Sequence, residues 1–316
     1  AEAEAEVVDT PVQEEEAAED ADMVVEAQAE TEPEAKTRPP GQLVAQIVAV
    51  ACSPPPYQST DAAVHVELIK LVVEGVVSTD EVHGITLVHS VRACFHVAMF
   101  SEGPGSGIAR SSAHAALQRV VGSVFERLET DEAEKLSAKV AEAERLARET
   151  GEAQEEVANE PEADSPYLID AVNIFIGLCK MILRQQSTGT VSHDHANSVA
   201  LSLLCSVLSN PGPAVASSSR FILHSQKHVF NVLLSTSVTD NVQILSLSLT
   251  LFRHVYRLYL PYLINEVESY FDTILLKQLN AKDSPPEVRM EIIVAIAKLF
   301  GVQQESDSSM ERERER

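Results

Sequence analysis

Apolar residues recur at helical spacing along most of the chain. After Asp61, a residue type that commonly caps the start of a helix, apolar side chains follow at intervals of four, three and one. These residues are Val64, Leu68, Leu71 and Val72. Because such intervals place side chains on one side of a helix, the pattern predicts a helix that begins just after Asp61.

The same spacing predicts a series of further helices, and no stretch shows the sustained alternation that is typical of strands. The predicted helices lie near residues 42–52, 82–100, 108–128, 166–186, 192–209, 213–224, 226–236, 240–256, 260–279 and 286–300. Proline and glycine separate several of them, as in Asn210-Pro211-Gly212-Pro213. We therefore expect an all-α fold of stacked antiparallel helices, an armadillo/HEAT-like α-solenoid, although no strict repeat period is visible.

Two acidic segments interrupt the helical pattern. Residues 1–40 carry 14 acidic and 2 basic residues, and we expect a disordered acidic tail there. Residues 129–164 carry 13 acidic and 4 basic residues and are interpreted as an acidic linker, a solvated spacer or a self-contact, in which 131–148 could form an exposed helix. The predicted domains are helical regions at 41–128 and 165–301, followed by a polar charged tail at 302–316.

Composition restricts the possible partners. The formal net charge is -24, but the two acidic segments account for all but -3 of it, so the remaining chain is nearly neutral and lacks the basic surface that nucleic acid requires. No uninterrupted apolar run reaches the roughly 18 to 20 residues of a membrane span. The helical body also shows no basic amphipathic face in its sequence, and we expect weak direct lipid contact.

The two ends of the chain and its cysteines further restrict the kind of protein and its compartment. The chain starts at Ala1 without a signal-peptide pattern and stops within a run of alternating Glu and Arg, so we expect a fragment of a larger protein. The four cysteines form no C-x-x-C pair and fit a reducing compartment. Cys94 and Cys179 lie on predicted apolar helix faces, where a buried role is favoured over that of a nucleophile.

Candidate catalytic and metal-binding motifs are weak. His193-Asp194-His195 has metal-ligand residue types without a third ligand, and His224 and His228 could share a helix face without a zinc-protease context. Gly151-Glu152-Ala153-Gln154 resembles a tetrapeptide of Arf exchange factors, but its surroundings are polar and coincidence is favoured. We therefore predict no catalytic residue, no metal and no cofactor. Tyr256 and Tyr259 are interpreted as core or interface residues.

The second half of the chain resembles the HUS region (homology upstream of the catalytic domain) of the large Golgi brefeldin A-inhibited exchange factors for Arf GTPases. The resemblance begins with Asp170, Phe175, Leu178, Cys179 and Lys180. It continues in order through Leu201-Ser202-Leu203-Leu204, Asn210, Gly212, Pro213, Leu245, Leu247, Leu249, Leu263, Glu266, Glu268 and Phe271. The Asn-aromatic-Asp-Cys box of that region is absent, because no cysteine follows Cys205.

The first half resembles the DCB region (dimerisation and cyclophilin-binding) of the same family. The similar positions are Leu87, Val91, Arg92, Cys94, Phe95, Ala113, Ala116, Leu117, Val121, Phe125, Arg127 and Leu128. Among them, Arg92 and Arg127 are the candidate surface or inter-helix polar residues, and with Tyr256 and Tyr259 they form our set of candidate protein-interaction residues.

The resemblance implies a non-catalytic scaffold that regulates an Arf exchange factor. Such a chain would self-associate, contact small GTPases of the Arf or Rab type, and reach Golgi or trans-Golgi membranes from the cytoplasm as a peripheral protein through its partners. It would lack exchange activity, because the sequence has no catalytic exchange domain. The alternative is an unrelated armadillo-like adaptor that binds cargo or cytoskeletal proteins.

Overall fold

The computed structural model describes residues 40–53, 61–101, 105–150, 165–185, 191–282 and 284–301. All of them belong to one compact unit that begins at Pro39. The described residues form helices and turns without a strand, and the predicted all-α fold of stacked helices is confirmed. The predicted tails at 1–40 and 302–316 and the Gly151–Gln154 motif lie outside the described residues, except for Pro40, which begins the first helix.

The helices follow one another in short hairpin-like steps. The first half contains α1 (Pro40–Cys52), α2 (Ala62–Ser78), α3 (Gly84–Phe100) and α4 (Ser106–Thr150). The second half begins with α5 (Pro166–Gln185), α6 (Val191–Ser209), α7 (Pro213–Ala216), α8 (Ser219–His224) and α9 (Phe230–Thr236). It ends with α10 (Val242–Tyr259), α11 (Ile264–Tyr270), α12 (Leu276–Asn280) and α13 (Pro286–Leu299).

Side-chain caps fix where several helices begin. Asp61 accepts a hydrogen bond from the Ala63 backbone N–H at 2.8 Å, which confirms the predicted N-cap of α2. Asn241 caps α10 in the same way through the Gln243 N–H at 3.1 Å. Gly84 opens α3 with a φ of +57°, a backbone conformation that glycine adopts at little cost.

The helices stack into a solenoid with a continuous core. Helix α1 packs on α2 and α3, both of which pack on α4; beyond them α4 contacts α5, α5 contacts α6, α6 contacts α10, and α10 contacts α13. The buried apolar cluster extends without a break from Val48 in α1 to Ile292 in α13. Each layer therefore buries the apolar stripe of the next, which is how stacked helical repeats gain stability.

A group of phenyl rings joins the two halves at the centre of the stack. Phe221 of α8 is fully buried between Phe125 of α4 and Phe175 of α5, with ring centroids 6.0 and 5.4 Å away. Tilted and edge-on aromatic pairs at these distances stabilise a core beyond the area they bury. The rings thus fix α4, α5 and α8 relative to one another.

Helix α4 is longer than the sequence predicted. We expected it to end near Leu128 and an exposed helix to be possible over 131–148; the second helix is confirmed, but the two form one continuous helix to Thr150. Strong helix formers and ion pairs one turn apart, such as Lys135 with Asp131 at 2.8 Å, favour this continuation of the helix. Every side chain described from Leu136 onward in α4 is exposed.

The predicted helix boundary near Ser225 is also wrong. Residues Ser225–Val229 form a π-helical turn that joins α8 to α9 without interruption, and the chain breaks instead at Ser217 and Ser218, before α8. A second π-helical turn, Phe271–Leu275, joins α11 to α12. Ser225 is fully buried, so this polar residue is part of the packed face of the continuous helix.

Helix α5 is long and apolar enough to cross a membrane by length and composition, contrary to the expectation from the sequence. Its sequence includes Asp170, Lys180 and Arg184, so no uninterrupted run was visible. In this fold the helix packs against α3, α4, α6, α8 and α9. A helix buried on several sides in the centre of a stack is apolar for that reason, and we assign α5 to the core.

Gly75 is the position at which α1 comes closest to α2, and its substitution should separate them. A Cβ at residue 75 would lie 2.4 Å from Cγ2 of Val48. We expect Gly75→Ala to lower the free energy of unfolding by about 1–3 kcal/mol through overpacking, measured by urea denaturation. Gly122→Ala is the matched control, because a Cβ in the middle of α4 would meet nothing within 4 Å.

The control should raise stability by about 0.5–1 kcal/mol, since alanine replaces glycine in a helix without a clash. Equal effects of the two substitutions would show that the α1–α2 contact is looser than the structure indicates.

Candidate protein-interaction site

Arg127 binds the C-terminal end of a neighbouring helix. Its Nη2 donates hydrogen bonds to the carbonyl oxygens of Val76 and, at 2.8 Å, of Thr79, which are left without helical partners at the end of α2. Its Nε lies 3.0 Å from the exposed carboxylate of Asp80. The side chain is only 15 % exposed, so Arg127 serves as an inter-helix residue of the α2–α4 contact.

Asp170 connects the two halves of the molecule from a buried position. Its Oδ1 accepts a hydrogen bond from the Gly84 backbone N–H at 2.8 Å, and its Oδ2 lies 2.7 Å from Nδ1 of His83. The ring of Tyr167 packs edge-on against His83 at 5.2 Å. Because a buried carboxylate is stable only with such partners, Asp170 fixes the start of α3 against the start of α5.

Glu129 makes a second polar contact between the halves. Its carboxylate oxygens accept hydrogen bonds from the Ala214 and Val215 backbone N–H groups, at 3.0 and 3.2 Å, at the start of α7. A Cβ at Gly212 would lie 2.1 Å from this carboxylate, so glycine alone leaves room for it. The Gly-Pro turn that resembles the HUS family thus has a packing role here.

The tyrosine candidates lie on α10 with different exposures. Tyr259 is completely buried, and its hydroxyl donates a hydrogen bond to the Val215 carbonyl oxygen at 2.9 Å; burial raises the pKa of this phenol. Tyr256 is partly buried and contacts the ring of Phe252 at a centroid distance of 6.3 Å. Tyr259 therefore belongs to the core, and a direct contact with a partner would require the fold to open.

The four candidate residues do not converge on one surface. Arg92 is exposed on α3, Arg127 is occupied at the α2–α4 contact, and the tyrosines lie on α10, which contacts α6, α9 and α13. That any of the four contacts a partner remains a prediction.

An exposed apolar stripe on α1 was missed from the sequence. Leu43, Ile47 and Val50 are 53, 47 and 74 % exposed and stand at i, i+4 and i+7, on the side of α1 opposite buried Val48 and Cys52. The helix contains no charged residue. An exposed apolar stripe on a helix without charge is a candidate contact surface.

A similar stripe lies on α13 at the other end of the described stack. Met290 and Ile293 are exposed there, and Phe300 is exposed just beyond the helix, while Val288 and Ile292 face inward. The intervals of three and seven residues place Met290, Ile293 and Phe300 on one side. The sequence signal for the α1 stripe was the lack of charged residues in α1, whereas α13 also contains Glu287, Arg289, Glu291 and Lys298.

The metal and nucleophile candidates have structural roles. Asp194 accepts a hydrogen bond from Nδ2 of Asn241 at 2.9 Å. Among the described residues no three His, Cys, Asp or Glu side chains are grouped so that they could hold a metal ion. Burial raises the pKa of the Cys94, Cys179 and Cys205 thiols to about 12, which keeps them protonated and unreactive at neutral pH.

His224 and His228 share a face across the π-helical turn. Their rings stack at a centroid distance of 5.6 Å. Burial lowers the pKa of both imidazoles, and nearby positive charge adds to this: Lys227 affects both, Arg220 affects His224, and Lys180 affects His228. The pair therefore belongs to an electropositive part of the surface.

Residues 167–304 match the family model of the HUS domain of Mon2/Sec7/BIG1-like proteins. This supports the HUS part of the resemblance. The match leaves the first half uncovered, so the DCB resemblance remains a prediction. No curated protein matches the chain.

The matched HUS domain corresponds to the helices from α5 to α13. A HUS domain is a regulatory, non-catalytic region of Sec7-like proteins, and this agrees with a scaffold role for the second half. The buried HUS-like residues Phe175, Leu178 and Cys179 explain that part of the resemblance as core packing.

Arg127 and Arg92 should differ sharply in their effect on stability. We expect Arg127→Ala to lower the free energy of unfolding by about 1.5–3 kcal/mol, because charged hydrogen bonds to otherwise unpaired carbonyls are lost. Arg92→Ala, the matched control on an exposed site, should change it by less than about 0.5 kcal/mol. Chemical denaturation measures both, and a neutral Arg127→Ala would contradict the inter-helix role.

Acid should destabilise the fold through the histidine pair. Because folding lowers the pKa of His224 and His228 below the ordinary 6.5, the unfolded chain takes up protons first as the pH falls through 6.5. The contribution of the two histidines to the free energy of unfolding is therefore present above pH 6.5 and is lost as the pH falls below it. Urea midpoints measured from pH 7.5 to 5.0 should fall less steeply for His224→Gln/His228→Gln than for the wild type.

Lys227→Gln tests the cause, since removing this cation should raise both histidine pKa values and flatten the same curve in part. If the double histidine variant and Lys227→Gln both keep the wild-type pH dependence, the acid sensitivity does not come from this histidine pair.

Proposed function

We propose that this chain is a non-catalytic scaffold and regulatory module of an Arf guanine-nucleotide exchange factor in vesicle trafficking. The HUS match over residues 167–304 carries this proposal. The solenoid supports it, because stacked helices offer long faces for protein contacts. The module would act from the cytoplasm at Golgi or trans-Golgi membranes, with small GTPases of the Arf or Rab type among its partners.

The proposal includes dimerisation through α1. Two copies of a chain with a net charge of -24 repel each other at long range, so a stable contact favours a surface without carboxylates. The exposed stripe of Leu43, Ile47 and Val50 is apolar and lies on a helix without a charged residue. A second copy of the same stripe is its most suitable occupant, since a two-fold contact is self-complementary.

Control of exchange would pass through the rigid connection between the halves. Asp170 and Glu129 each join a backbone N–H of one half to a carboxylate of the other. A partner bound to the first half would therefore be held at a fixed orientation to the HUS region. This rigidity is what a regulatory scaffold requires in order to position a catalytic domain elsewhere in the protein.

The second candidate function is an armadillo-like adaptor for cargo or cytoskeletal proteins. The apolar stripe of α13, with Met290, Ile293 and Phe300, would serve such a role equally well. The exposed stripe fits both candidate functions equally. The HUS match fits only the first, since it links the chain to Sec7-like proteins.

Substitution within the α1 stripe should dissociate the dimer. We expect the wild-type chain to have the mass of a dimer at micromolar concentration, and Ile47→Glu to reduce it to a monomer, because a charge would be buried in the contact. Size-exclusion chromatography with light scattering measures the mass. Leu136→Glu is the matched control, as Leu136 is also exposed but lies on the far part of α4.

A monomeric wild type, or dissociation by Leu136→Glu as well, would overturn the assignment to α1. The same preparations should not accelerate nucleotide release from an Arf GTPase, and clear stimulation would refute the non-catalytic role.

A further inference from the structure

Helix α10 carries two arginines and a histidine close together near its C-terminal end. Arg253 and Arg257 lie one turn apart, and His254 is next to the first of them; these three residues form the arginine cluster. Within the part of the chain that the structure describes, none of them forms a hydrogen bond or an ion pair, and the Nε of Arg253 is buried without a partner. Because an unpaired donor away from water is unfavourable, the cluster is a candidate anion site.

The cluster is one local site on a single helix. Its three side chains lie within an arc of about 100° around α10. The Cβ atoms of residues one turn apart, as Arg253 and Arg257 are, lie about 5–6 Å from each other. Burial lowers the pKa of His254, and the positive charges of Arg253 and Arg257 lower it further, so both guanidinium groups lie close to the imidazole. One small anion can therefore contact both arginines.

The site extends from the contact between α6 and α10 to the solvent. Arg253 is partly buried, whereas Arg257 is exposed. Burial raises the pKa of the Cys205 thiol in α6 to about 12, and the charge of Arg253 acts on this thiol in the opposite direction. The guanidinium of Arg253 thus lies near the C-terminal part of α6, and Arg257 marks the solvent side of the site.

The helices around the cluster do not neutralise its charge. Helices α9 and α10 contain no acidic residue, and α6 contains only Asp194. Asp194 accepts a hydrogen bond from Asn241 at the start of α10, which lies about 18 Å along the helix from Arg253. Helix α13 also packs on α10 and contains Glu287 and Glu291, but neither carboxylate forms an ion pair with the cluster.

We propose that the arginine cluster binds a phosphorylated side chain of a partner protein. A phosphoserine carries a charge of about -1.5 to -2 at neutral pH and three strong acceptor oxygens, so it can accept hydrogen bonds from both guanidinium groups at once. Arginine suits this role because its planar fork of donors matches the phosphate oxygens. The site is additional to the proposed function and does not rest on it.

A phosphopeptide fits the cluster better than a carboxylate or a bilayer does. A single carboxylate has about one negative charge and two oxygens, which one guanidinium group already satisfies. The flat surface of a bilayer does not reach Arg253, because this residue is partly buried beside α6. A phosphate on a flexible peptide projects from its backbone and can reach into the contact between the two helices.

Fluorescence anisotropy with the full chain tests this proposal. The probe is a fluorescein-labelled heptapeptide of alanine and glycine with a central phosphoserine, compared with the same peptide carrying serine or glutamate. We expect the phosphopeptide to bind at least about tenfold more tightly than either, and Arg257→Gln to weaken it by about tenfold or more, because charge-assisted hydrogen bonds are lost. Arg119→Gln is the matched control, since it removes the same charge from an exposed position on α4.

Arg253→Gln should weaken binding by a similar factor, and circular dichroism checks that each variant is folded. If this partly buried substitution unfolds the chain, exposed Arg257→Gln still decides the result. No binding of the phosphopeptide, equally tight binding of the glutamate peptide, or an equal loss in Arg257→Gln and Arg119→Gln would overturn the site.

A lipid headgroup is the competing source of phosphate. If vesicles with phosphatidylinositol phosphate bind in a manner that depends on Arg257 while the phosphopeptide does not bind, the site takes a lipid and the proposal is wrong. None of these measurements involves the α1 contact or a GTPase, so failure of this site and failure of the proposed function are separate results.

Discussion

Helix α4 contacts both halves of the molecule, and the rest of the stack depends on its packing against α5. Phe125 places a ring against Phe221, which also contacts Phe175, so one aromatic group holds three helices. Glu129, one turn further along α4, accepts hydrogen bonds from the start of α7. Without this helix, the layer of α1 to α3 would have no surface on which to bury its apolar stripes.

Polar residues at the junction are satisfied by backbone groups within the chain. Arg127 binds carbonyl oxygens at the end of α2, and Asp170 accepts the N–H of Gly84. Buried polar groups require such partners, since an unpaired donor or acceptor is strongly unfavourable away from water. Residues that look like contacts for another protein in the sequence are thereby used to orient helices.

Contacts with other molecules therefore depend on the side chains that remain exposed after the helices have packed. The α1 stripe and the α13 stripe lie on different helices at the two ends of the described stack. A scaffold of this kind needs rigidity between its surfaces, which the continuous core from Val48 to Ile292 provides. The second half matches the HUS domain of Mon2/Sec7/BIG1-like proteins, which is a regulatory region of those proteins.

The sequence by itself determined the helical class, most helix positions, the N-cap at Asp61 and the HUS resemblance, because periodicity and capping are local properties. It could not determine that α4 continues to Thr150, because local propensity competes there with a high density of charge. Only the tertiary structure decided that Tyr259 is buried and that Arg127 faces α2, since exposure depends on which helices meet.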